Sequence, residues 1–297
     1  MIDAHIHIVD FLQDIGDPAE LLAEFDRAGV EGGVIFGLPV KKKWGHHEPN
    51  RPRYYLDDTD HCYPWSATDE ATVRFYEQSG APDRLAPLVC GVDPTDLDSA
   101  QRVDRLLDEG PFVGVGELLL RHGRLTPLIH GEQARANHPA VLAIAGVCAR
   151  RGVPLVIHQN SGSTGQGPTA YLPELEALLV HAADADVVWC HGGVNEERVV
   201  SPTAHLDLLL RQHPRLHIDI SWAATEVVSA RDHVAHDWLE LVAAHPSRFL
   251  WGSDSVGRFD GLAGTAQRIA AFLEQLPPAA RRAVAGDNAR RLFFGSA

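Results

Sequence analysis

Residues 1–8 read Met-Ile-Asp-Ala-His-Ile-His-Ile, an apolar segment with a polar side chain at every second position from Asp3 to His7. In a β-strand, residues two apart share a face and lie about 6.6 Å apart. His5 and His7 can therefore converge on one metal ion, while Ala4 and the three isoleucines face the other way into the packing. A His-x-His motif arises readily by chance, so its meaning depends on what the other strands carry.

Seven further apolar runs of strand length follow, and amphipathic stretches of helix length separate them. The eight predicted strands are residues 2–8, 33–36, 85–90, 113–118, 154–158, 187–190, 216–220 and 249–253. The predicted helices are residues 18–28, 69–79, 97–109, 139–151, 173–182, 203–213, 233–245 and 262–276. Strands that alternate with helices indicate βαβ units and a parallel sheet.

Eight such units in 297 residues favour a closed α/β fold, the (β/α)₈ TIM barrel, over an open doubly wound sheet. The dinucleotide motif Gly-x-Gly-x-x-Gly follows none of the predicted strands, which further weakens a Rossmann interpretation. No internal repeat or low-complexity linker interrupts the alternation. We therefore expect a single domain over residues 1–297, without the β-sandwich that flanks some barrels.

The composition narrows the class of partner. Hydrophobic residues make up 45% and charged residues 22% of the chain, as in ordinary soluble globular proteins. The formal net charge of −14 argues against nucleic acid or an anionic membrane as a partner. The sequence has no signal-peptide pattern and no apolar stretch near the roughly 18 residues that span a membrane. The four cysteines lack Cys-x-x-Cys spacing and are expected to be reduced, which predicts a cytoplasmic protein. The expected partner is a small-molecule substrate.

Catalytic groups of a TIM barrel sit at the carboxyl ends of its strands. The predicted strand ends carry His5, His7, Glu117, His158, His191 and Asp254. Alternation predicts that each points inward, with Glu117 on the same face as Val113 and Val115. Buried carboxylates and imidazoles are costly unless they are paired or bind a metal. Nitrogen and carboxylate ligands are also those of catalytic zinc sites, so we expect a metal here.

Six motifs in order resemble the metal-dependent amidohydrolase superfamily, in particular the amidohydrolase-related branch that includes amino-carboxymuconate-semialdehyde decarboxylase. They are IDAHIH, GVGE, LVIHQN, WCHGG, LWGSDS and GDNARRLF, and the resemblance spans residues 1–294. It implies that His5, His7, His158 and Asp254 are metal ligands. It also implies that His191 is either a catalytic side chain or a ligand of a second metal.

The role of Glu117 stays open in the sequence. Some superfamily members bridge two metals with a strand-four glutamate or carboxylated lysine, whereas decarboxylase-like members bind one metal and need no glutamate here. An ion pair of Glu117 with Arg121 or His158 is an alternative. We expect one Zn²⁺ ion. The alternatives are a second ion, and Mn²⁺ or Fe²⁺ in place of zinc.

The loops that should surround the barrel mouth carry basic and aromatic residues. Residues 38–68 form a connection far longer than a usual βα loop, and its composition favours an ordered lid over a disordered insertion. Candidate substrate-binding residues are Arg51, Arg53, Arg121, Trp222 and Arg258. Because guanidinium groups match carboxylates, an anionic substrate is one hypothesis, and solubilising surface charge is the other. Trp44, Tyr54, Tyr55 and Trp65 could line the substrate or pack within the lid.

The leading functional hypothesis is a metal-dependent hydrolase that cleaves an amide, lactone or related bond with a water molecule that the metal activates. Asp254 would accept the proton and pass it to the leaving group, and His191 would bind the substrate carbonyl. Asp3 would orient a ligand imidazole, and Cys190 should point away from the barrel interior. The alternatives are a non-oxidative decarboxylase at the same site, a metal-free glycosidase that uses Glu117 and Asp254, and a non-catalytic binding barrel. A homodimer is the default oligomeric state.

Overall fold

The computed structural model describes residues 1–43, 62–129, 131–230 and 232–295. Its strands are β1 (Ile2–His7), β2 (Gly32–Phe36), β3 (Val40–Lys42), β4 (Cys62–Pro64), β5 (Leu85–Val89), β6 (Gly114–Leu119), β7 (Leu155–His158), β8 (Val187–Cys190), β9 (Leu216–Ile220), β10 (Phe249–Trp251) and β11 (Ser255–Val256). Its α-helices are α1 (Pro18–Ala28), α2 (Thr68–Gln78), α3 (Ser99–Glu109), α4 (Pro139–Arg151), α5 (Leu172–His181), α6 (Thr203–Gln212), α7 (Trp222–Ser229), α8 (His233–Ala244), α9 (Leu262–Leu273), α10 (Pro278–Arg282) and α11 (Asn288–Phe293).

Nine of these strands form one parallel sheet in the order β10-β9-β8-β7-β6-β5-β2-β1-β11. β10 and β11 belong to one continuous segment: β10 pairs with β9, and β11 pairs with β1. The Asp254 amide between them donates to the His5 carbonyl at 2.9 Å, which closes the sheet into a barrel. At this closure a Cβ on Gly252 would lie 2.4 Å from the His5 Cβ, so only glycine fits. The predicted TIM barrel and all eight predicted strands are confirmed.

Local sequence signals explain where the outer helices begin and end. α1 has Pro18 at its first position, and the Asp17 carboxylate accepts from the Ala19 amide at 2.9 Å. The same helix ends at Gly29 in the left-handed conformation, with a φ of 66°. α4 has the same two signals, with Pro139 at its start and Gly152 at its end. Such ends stop each helix where the chain must turn back toward the next strand.

The apolar core divides into a cluster between the sheet and the helices and a smaller cluster inside the barrel. Ile6 and Ile8 belong to the outer cluster, whereas Ile2 and Ala4 belong to the inner one. The expectation that all four face away from the histidines was therefore wrong, because the register of β1 against β2 shifts between Asp3 and Ile6. Phe293 and Ala289 of α11 pack in the inner cluster and plug the amino end of the barrel.

The same kind of irregularity occurs in β6. Val115 packs in the outer cluster, so it does not share a face with Glu117, contrary to the alternation expected from sequence. The register of β6 against β7 shifts between Val115 and Leu118. Each of these two shifts lies next to a candidate metal ligand and turns that side chain into the barrel mouth.

Part of the long connection at residues 38–68 is described. Val40–Lys42 pairs with Cys62–Pro64 in an antiparallel ribbon, and the Lys41 ammonium lies 4.4 Å from the Trp65 ring centroid. Trp44, Arg51, Arg53, Tyr54 and Tyr55 lie outside the described residues. The lid therefore stays a prediction. Among the described helices, none is long and apolar enough to cross a membrane.

Candidate metal centre

Four side chains meet at the carboxyl end of the barrel: His5 and His7 of β1, Glu117 of β6, and Asp254 between β10 and β11. The Nε2 atoms of His5 and His7 lie 3.3 Å apart. Asp254 Oδ1 lies 3.4 Å from His5 Nε2 and 3.5 Å from His7 Nε2. Glu117 Oε2 lies 3.4 Å from His7 Nε2, and its Oε1 lies 3.8 Å from His5 Nε2.

These distances fit a tetrahedral ion. Zinc bonds to nitrogen and carboxylate oxygen of about 2.0–2.1 Å place the ligand atoms of a tetrahedral site about 3.3 Å apart. The three distances among His5, His7 and Asp254 agree with that edge length within a few tenths of an ångström. Two imidazoles and a carboxylate are also the donor set of catalytic zinc sites, so the residues present fit a divalent metal.

A second group of donor atoms overlaps the first. His5, Glu117 and His191 offer ligand atoms that all lie within 4.8 Å of one another. Glu117 Oε1 lies 3.7 Å from His191 Nε2, and Asp254 Oδ2 lies 3.9 Å from the same nitrogen. His191 therefore lies beside the first group, where it can serve a second ion or a bound molecule.

The electrostatics of the buried cluster favour a cation. Burial lowers the pKa of His5, but the carboxylates of Asp254 and Glu117 outweigh it and raise that pKa to about 10. Burial likewise lowers the pKa of His7, while hydrogen bonds to Asp254 and Glu117 raise it to about 9. Burial raises the pKa of Glu117, yet His5 and the hydrogen bond from His158 hold it well below the usual range. The two carboxylates therefore stay ionised, and protons or a metal must balance their charge.

Groups outside the cluster fix the orientation of the two imidazoles. His5 Nδ1 donates to Asp219 Oδ2 at 2.7 Å, and His7 Nδ1 donates to the Gly37 carbonyl at 2.7 Å. These acceptors hold the proton on Nδ1, so each ring presents an Nε2 lone pair to the centre of the cluster once its second proton has left. Asp3 does not have the expected role, because its Oδ1 accepts from the backbone amides of His5 and Ser253. Asp219 of β9 orients the imidazole instead.

A hydrogen-bond chain connects Asp219 to His191. The Ser221 hydroxyl donates its one hydrogen to Asp219 Oδ2 at 2.6 Å. Ser221 Oγ must therefore accept from His191 Nδ1, which lies 2.8 Å away. His191 then carries its proton on Nδ1 and presents an unprotonated Nε2 to the cluster. Burial is the main cause that lowers the pKa of His191 to about 4, so this ring is neutral.

His158 meets the cluster through Glu117. Its Nδ1 lies 3.2 Å from Glu117 Oε1, and its Nε2 lies 3.2 Å from Asn160 Oδ1. Among the described residues, the groups of donor atoms close enough to hold one ion do not include His158. Its assignment as a metal ligand therefore stays a prediction. Arg121 does not pair with Glu117 as one alternative held, since its guanidinium binds Glu174.

Cys190 does not point away from the barrel interior, and that expectation was wrong. It packs in the inner cluster, and its sulfur lies within 4.8 Å of ligand atoms of His5 and Asp219. Burial raises the pKa of this thiol well above its ordinary value, so it stays protonated and unreactive. The turn after β8 explains the error: Cys190 and His191 both reach the interior because His191 adopts a φ of 60°.

A cavity of about 370 Å³ opens above the cluster. It is lined by apolar side chains, among them Phe11, Leu38 and Trp222, and by polar side chains, among them His122, His158 and Asp254. In the described residues, five non-glycine residues have φ in the left-handed region, and four of them line this cavity. They are His191 at 60°, Arg198 at 55°, Trp222 at 44° and Asp254 at 54°. Such conformations cost about 1–3 kcal/mol each and gather at functional sites.

The candidate substrate-binding residues are dispersed. Trp222 lines the cavity, with its ring 5.2 Å from that of His191. Arg121 is held by a two-pronged salt bridge to Glu174, at 2.9 and 2.5 Å, and its guanidinium covers the Tyr171 ring at 4.7 Å. Arg258 is exposed and is not among the described residues that line the cavity. Arg51 and Arg53 lie outside the described residues.

Sequence reasoning missed Asp219, Ser221 and His122. Asp219 and Ser221, at and just after the end of β9, alternate as His5 and His7 do in β1, which is a usable signal. His122 lies in the loop after β6 and shows no such pattern.

Known families and solved structures include proteins similar to this chain. A family model described as amidohydrolase matches residues 2–295. A comparison with proteins of curated function found no significant match. Among solved structures, an uncharacterised TIM-barrel protein from Bordetella bronchiseptica aligns with a TM-score of 0.64 and 14% identity, over 98% of this chain and 97% of that one.

Two similar structures have named activities. A 2,6-dihydroxybenzoate decarboxylase from Rhizobium aligns with a TM-score of 0.56 and 17% identity, over 99% of this chain and 98% of that one. A dihydroorotase from Campylobacter jejuni aligns with a TM-score of 0.58 and 15% identity, over 98% of this chain and 82% of that one. At these identities the likeness establishes the barrel fold.

Proposed function

The chain belongs to the amidohydrolase family, and on this basis we propose that it is a metal-dependent hydrolase of a small molecule. The bond cleaved is an amide, a lactone or a related bond. One observation carries the proposal: His5 Nε2, His7 Nε2 and Asp254 Oδ1 are 3.3–3.5 Å apart at the floor of an open cavity. That arrangement combines a tetrahedral donor set with room for a substrate.

His5, His7 and Asp254 would hold the ion, and Glu117 lies close enough to complete or bridge the site. We propose one zinc ion, because neutral imidazoles and a carboxylate suit zinc and the three donors form one compact face. When bound, a divalent metal supplies Lewis acidity, which lowers the pKa of a water molecule and polarises a carbonyl group.

The protein's own residues supply the proton transfers. Asp254 reaches the cavity with both carboxylate oxygens near imidazole nitrogens, so it can take a proton from the attacking water and return it to the leaving group. The unprotonated Nε2 of His191 is a proton acceptor and cannot donate to a substrate carbonyl, which revises the role expected for it. Glu117 accepts from His158 and holds His7, so it keeps the cluster assembled.

The cavity supports a small substrate with an apolar part. Its volume of about 370 Å³ and its apolar wall suit a molecule of that kind. Arg198 at the rim pairs with Glu226, and no other described lysine or arginine lines the cavity. An anionic substrate therefore depends on Arg51 and Arg53 and stays a prediction. The cytoplasmic location, the single domain over residues 1–297 and the homodimer also stay predictions.

Product analysis after metal removal tests the proposal. The purified protein is stripped with a chelator, reloaded with zinc or manganese, and assayed on lactones, N-acyl amides, esters and aromatic carboxylates. We expect activity only in the reloaded protein, with a new carboxylate and an amine or alcohol as products. Release of carbon dioxide from an aromatic carboxylate would instead establish decarboxylation and contradict hydrolysis.

Matched histidine variants separate the site from the rest of the surface. His5→Ala and His7→Ala should lose both metal and activity, because each removes one of the three donors. His236→Ala is the control, since that side chain is 66% exposed and, in the described part of the chain, pairs with Glu240 on its own helix. Full activity in either cluster variant would contradict the proposal.

A further inference from the structure

His122 lies in the loop after β6 and is almost fully buried at the cavity wall. Its Nδ1 accepts hydrogen bonds from the backbone amides of Arg124 at 3.3 Å and Leu125 at 3.2 Å. A ring nitrogen that accepts must hold a lone pair, so the proton of this imidazole is on Nε2. The loop backbone therefore selects one tautomer of His122.

Two neighbouring rings also fix the orientation of the His122 imidazole. It stacks on His158 with a centroid distance of 4.7 Å and an interplanar angle of 22°. Trp222 stacks on it at 5.6 Å and 26°. With both neighbours against the ring and Nδ1 turned toward the loop, the Nε2–H points away from the loop. Within the described ranges of the chain, this N–H has no hydrogen-bond acceptor.

His191 presents the opposite group to the same cavity. Its proton is on Nδ1, bound to Ser221, and its Nε2 offers a lone pair. His122 and His191 both lie within 5 Å of His158 between ring centroids. The cavity thus has one imidazole that accepts and one imidazole that donates, and both contact His158.

We propose that His122 donates its Nε2–H to an oxygen of the substrate. The inference rests on the proposed hydrolase function and deepens it: the substrate carries a carbonyl or similar acceptor oxygen on the side of the cavity near Trp222. A neutral N–H is suited to a carbonyl, because it binds the oxygen without adding a positive charge beside the metal ligands. His122 then performs the donor role that the tautomer of His191 does not allow.

Two substitutions separate the donor from the loop contact. In His122→Asn, the side-chain oxygen can still accept from the Arg124 and Leu125 amides, but the Nε2 donor is lost. In His122→Gln, the amide nitrogen can replace the Nε2 donor, but the loop acceptor is lost. With the fastest lactone, ester or amide of the panel, we expect kcat/KM to fall about 10- to 100-fold in His122→Asn, and less than five-fold in His122→Gln.

Metal content and thermal stability complete the kinetic test. His122→Asn should keep the metal content of the original protein. Both variants lose the ring that stacks on His158 and Trp222, and His122→Gln, which also loses the loop acceptor, should be the less stable of the two. A purely structural role would give the reverse order, with His122→Gln the more damaged enzyme. That order, or an unchanged kcat/KM in His122→Asn, would overturn the inference.

The tautomer can be measured without any substrate. In protein labelled with ¹⁵N-histidine, His122 is assigned by the signals missing in His122→Asn. We expect a pyrrole-type Nε2 and a pyridine-type Nδ1 at neutral pH, and a protonated Nδ1 would overturn the inference. If the holoenzyme turns over no compound in the panel, the proposed function fails, while this measurement still decides the state of His122.

Discussion

The carboxylate of Asp219 offers a sharp test of how the metal centre is built. Asp219 is buried and accepts from His5 Nδ1 at 2.7 Å and from Ser221 at 2.6 Å through the same oxygen, Oδ2. Asp219→Asn can keep an oxygen at that place, so it removes the negative charge and leaves the acceptor. Asp219→Ala removes both. The two variants therefore separate the effect of the charge from that of the hydrogen bond that fixes the His5 tautomer.

The expected magnitude follows from the role of such partners in metal sites. Loss of a group that orients a ligand histidine costs about 10- to 100-fold in metal affinity. We expect about 10-fold for Asp219→Asn, and about 100-fold for Asp219→Ala, in which His5 is free to place its proton on Nε2. In free energy these losses are about 1.4 and 2.7 kcal/mol.

The assay is competition for zinc against a chromophoric chelator at fixed pH. Asp207→Asn is a matched control, because Asp207 accepts from His245 Nε2 at the same 2.7 Å but is partly exposed and lies on helix α6, outside the candidate metal centre. We expect the control to bind zinc like the original protein. Equal zinc affinity in Asp219→Ala and the control would refute the assignment of Asp219 as the group that orients His5.

Three further predictions follow from other parts of the structure. With pKa values of about 10 and 9, His5 and His7 each hold a proton at pH 7 that competes with the metal. Calorimetry in buffers of different ionisation enthalpy should therefore show about two protons released for each zinc ion bound. The zinc affinity should fall about 100-fold from pH 8 to pH 7, and a zinc affinity that does not depend on pH would contradict this. Arg121→Ala should lower the free energy of unfolding by about 1 kcal/mol, because the ion pair with Glu174 is lost, and should change kcat/KM less than two-fold. A ten-fold fall in kcat/KM in a folded variant would instead support the role in substrate binding that the sequence predicts. Phe293→Ala should lower the free energy of unfolding, measured with urea, by about 3–5 kcal/mol, because it leaves a cavity at the amino end of the barrel. A decrease below 1 kcal/mol would show that the packing of Phe293 contributes little to stability.

The barrel was predictable because its strands are buried on both faces. Parallel strands covered by helices are short continuous apolar runs, and all eight such runs in the sequence are strands of the sheet. The helices were predictable where Pro18 or Pro139 opens a helix and a glycine closes it. α7, α10 and α11 were not predicted, because helices of five to eight residues are too short for a periodic pattern.

Side-chain direction was predictable only where strands are regular. Alternation failed at Ala4 and at Val115, both beside register shifts against the neighbouring strand. It failed again at Cys190, next to a residue with positive φ. Such irregularities depend on how two strands meet, which a single sequence does not reveal.

The sequence predicted which residues form the candidate metal centre but not the hydrogen bonds that orient them. His5, His7, Glu117 and Asp254 meet as the sequence suggested. Their hydrogen-bond partners could not be predicted, because Asp219 is 214 residues from His5 in the chain. Tautomers depend on those partners, so the roles of His191 and His122 emerged only from the structure.

Diffraction from crystals grown with zinc, collected on both sides of the zinc absorption edge, tests the central claim most directly. We expect one anomalous peak about 2.0–2.1 Å from the Nε2 atoms of His5 and His7 and from Asp254 Oδ1. Two results would contradict the metal centre and the function derived from it. One is the lack of a peak at the cluster in crystals that contain one zinc ion per protein chain, and the other is a peak bound only by surface side chains.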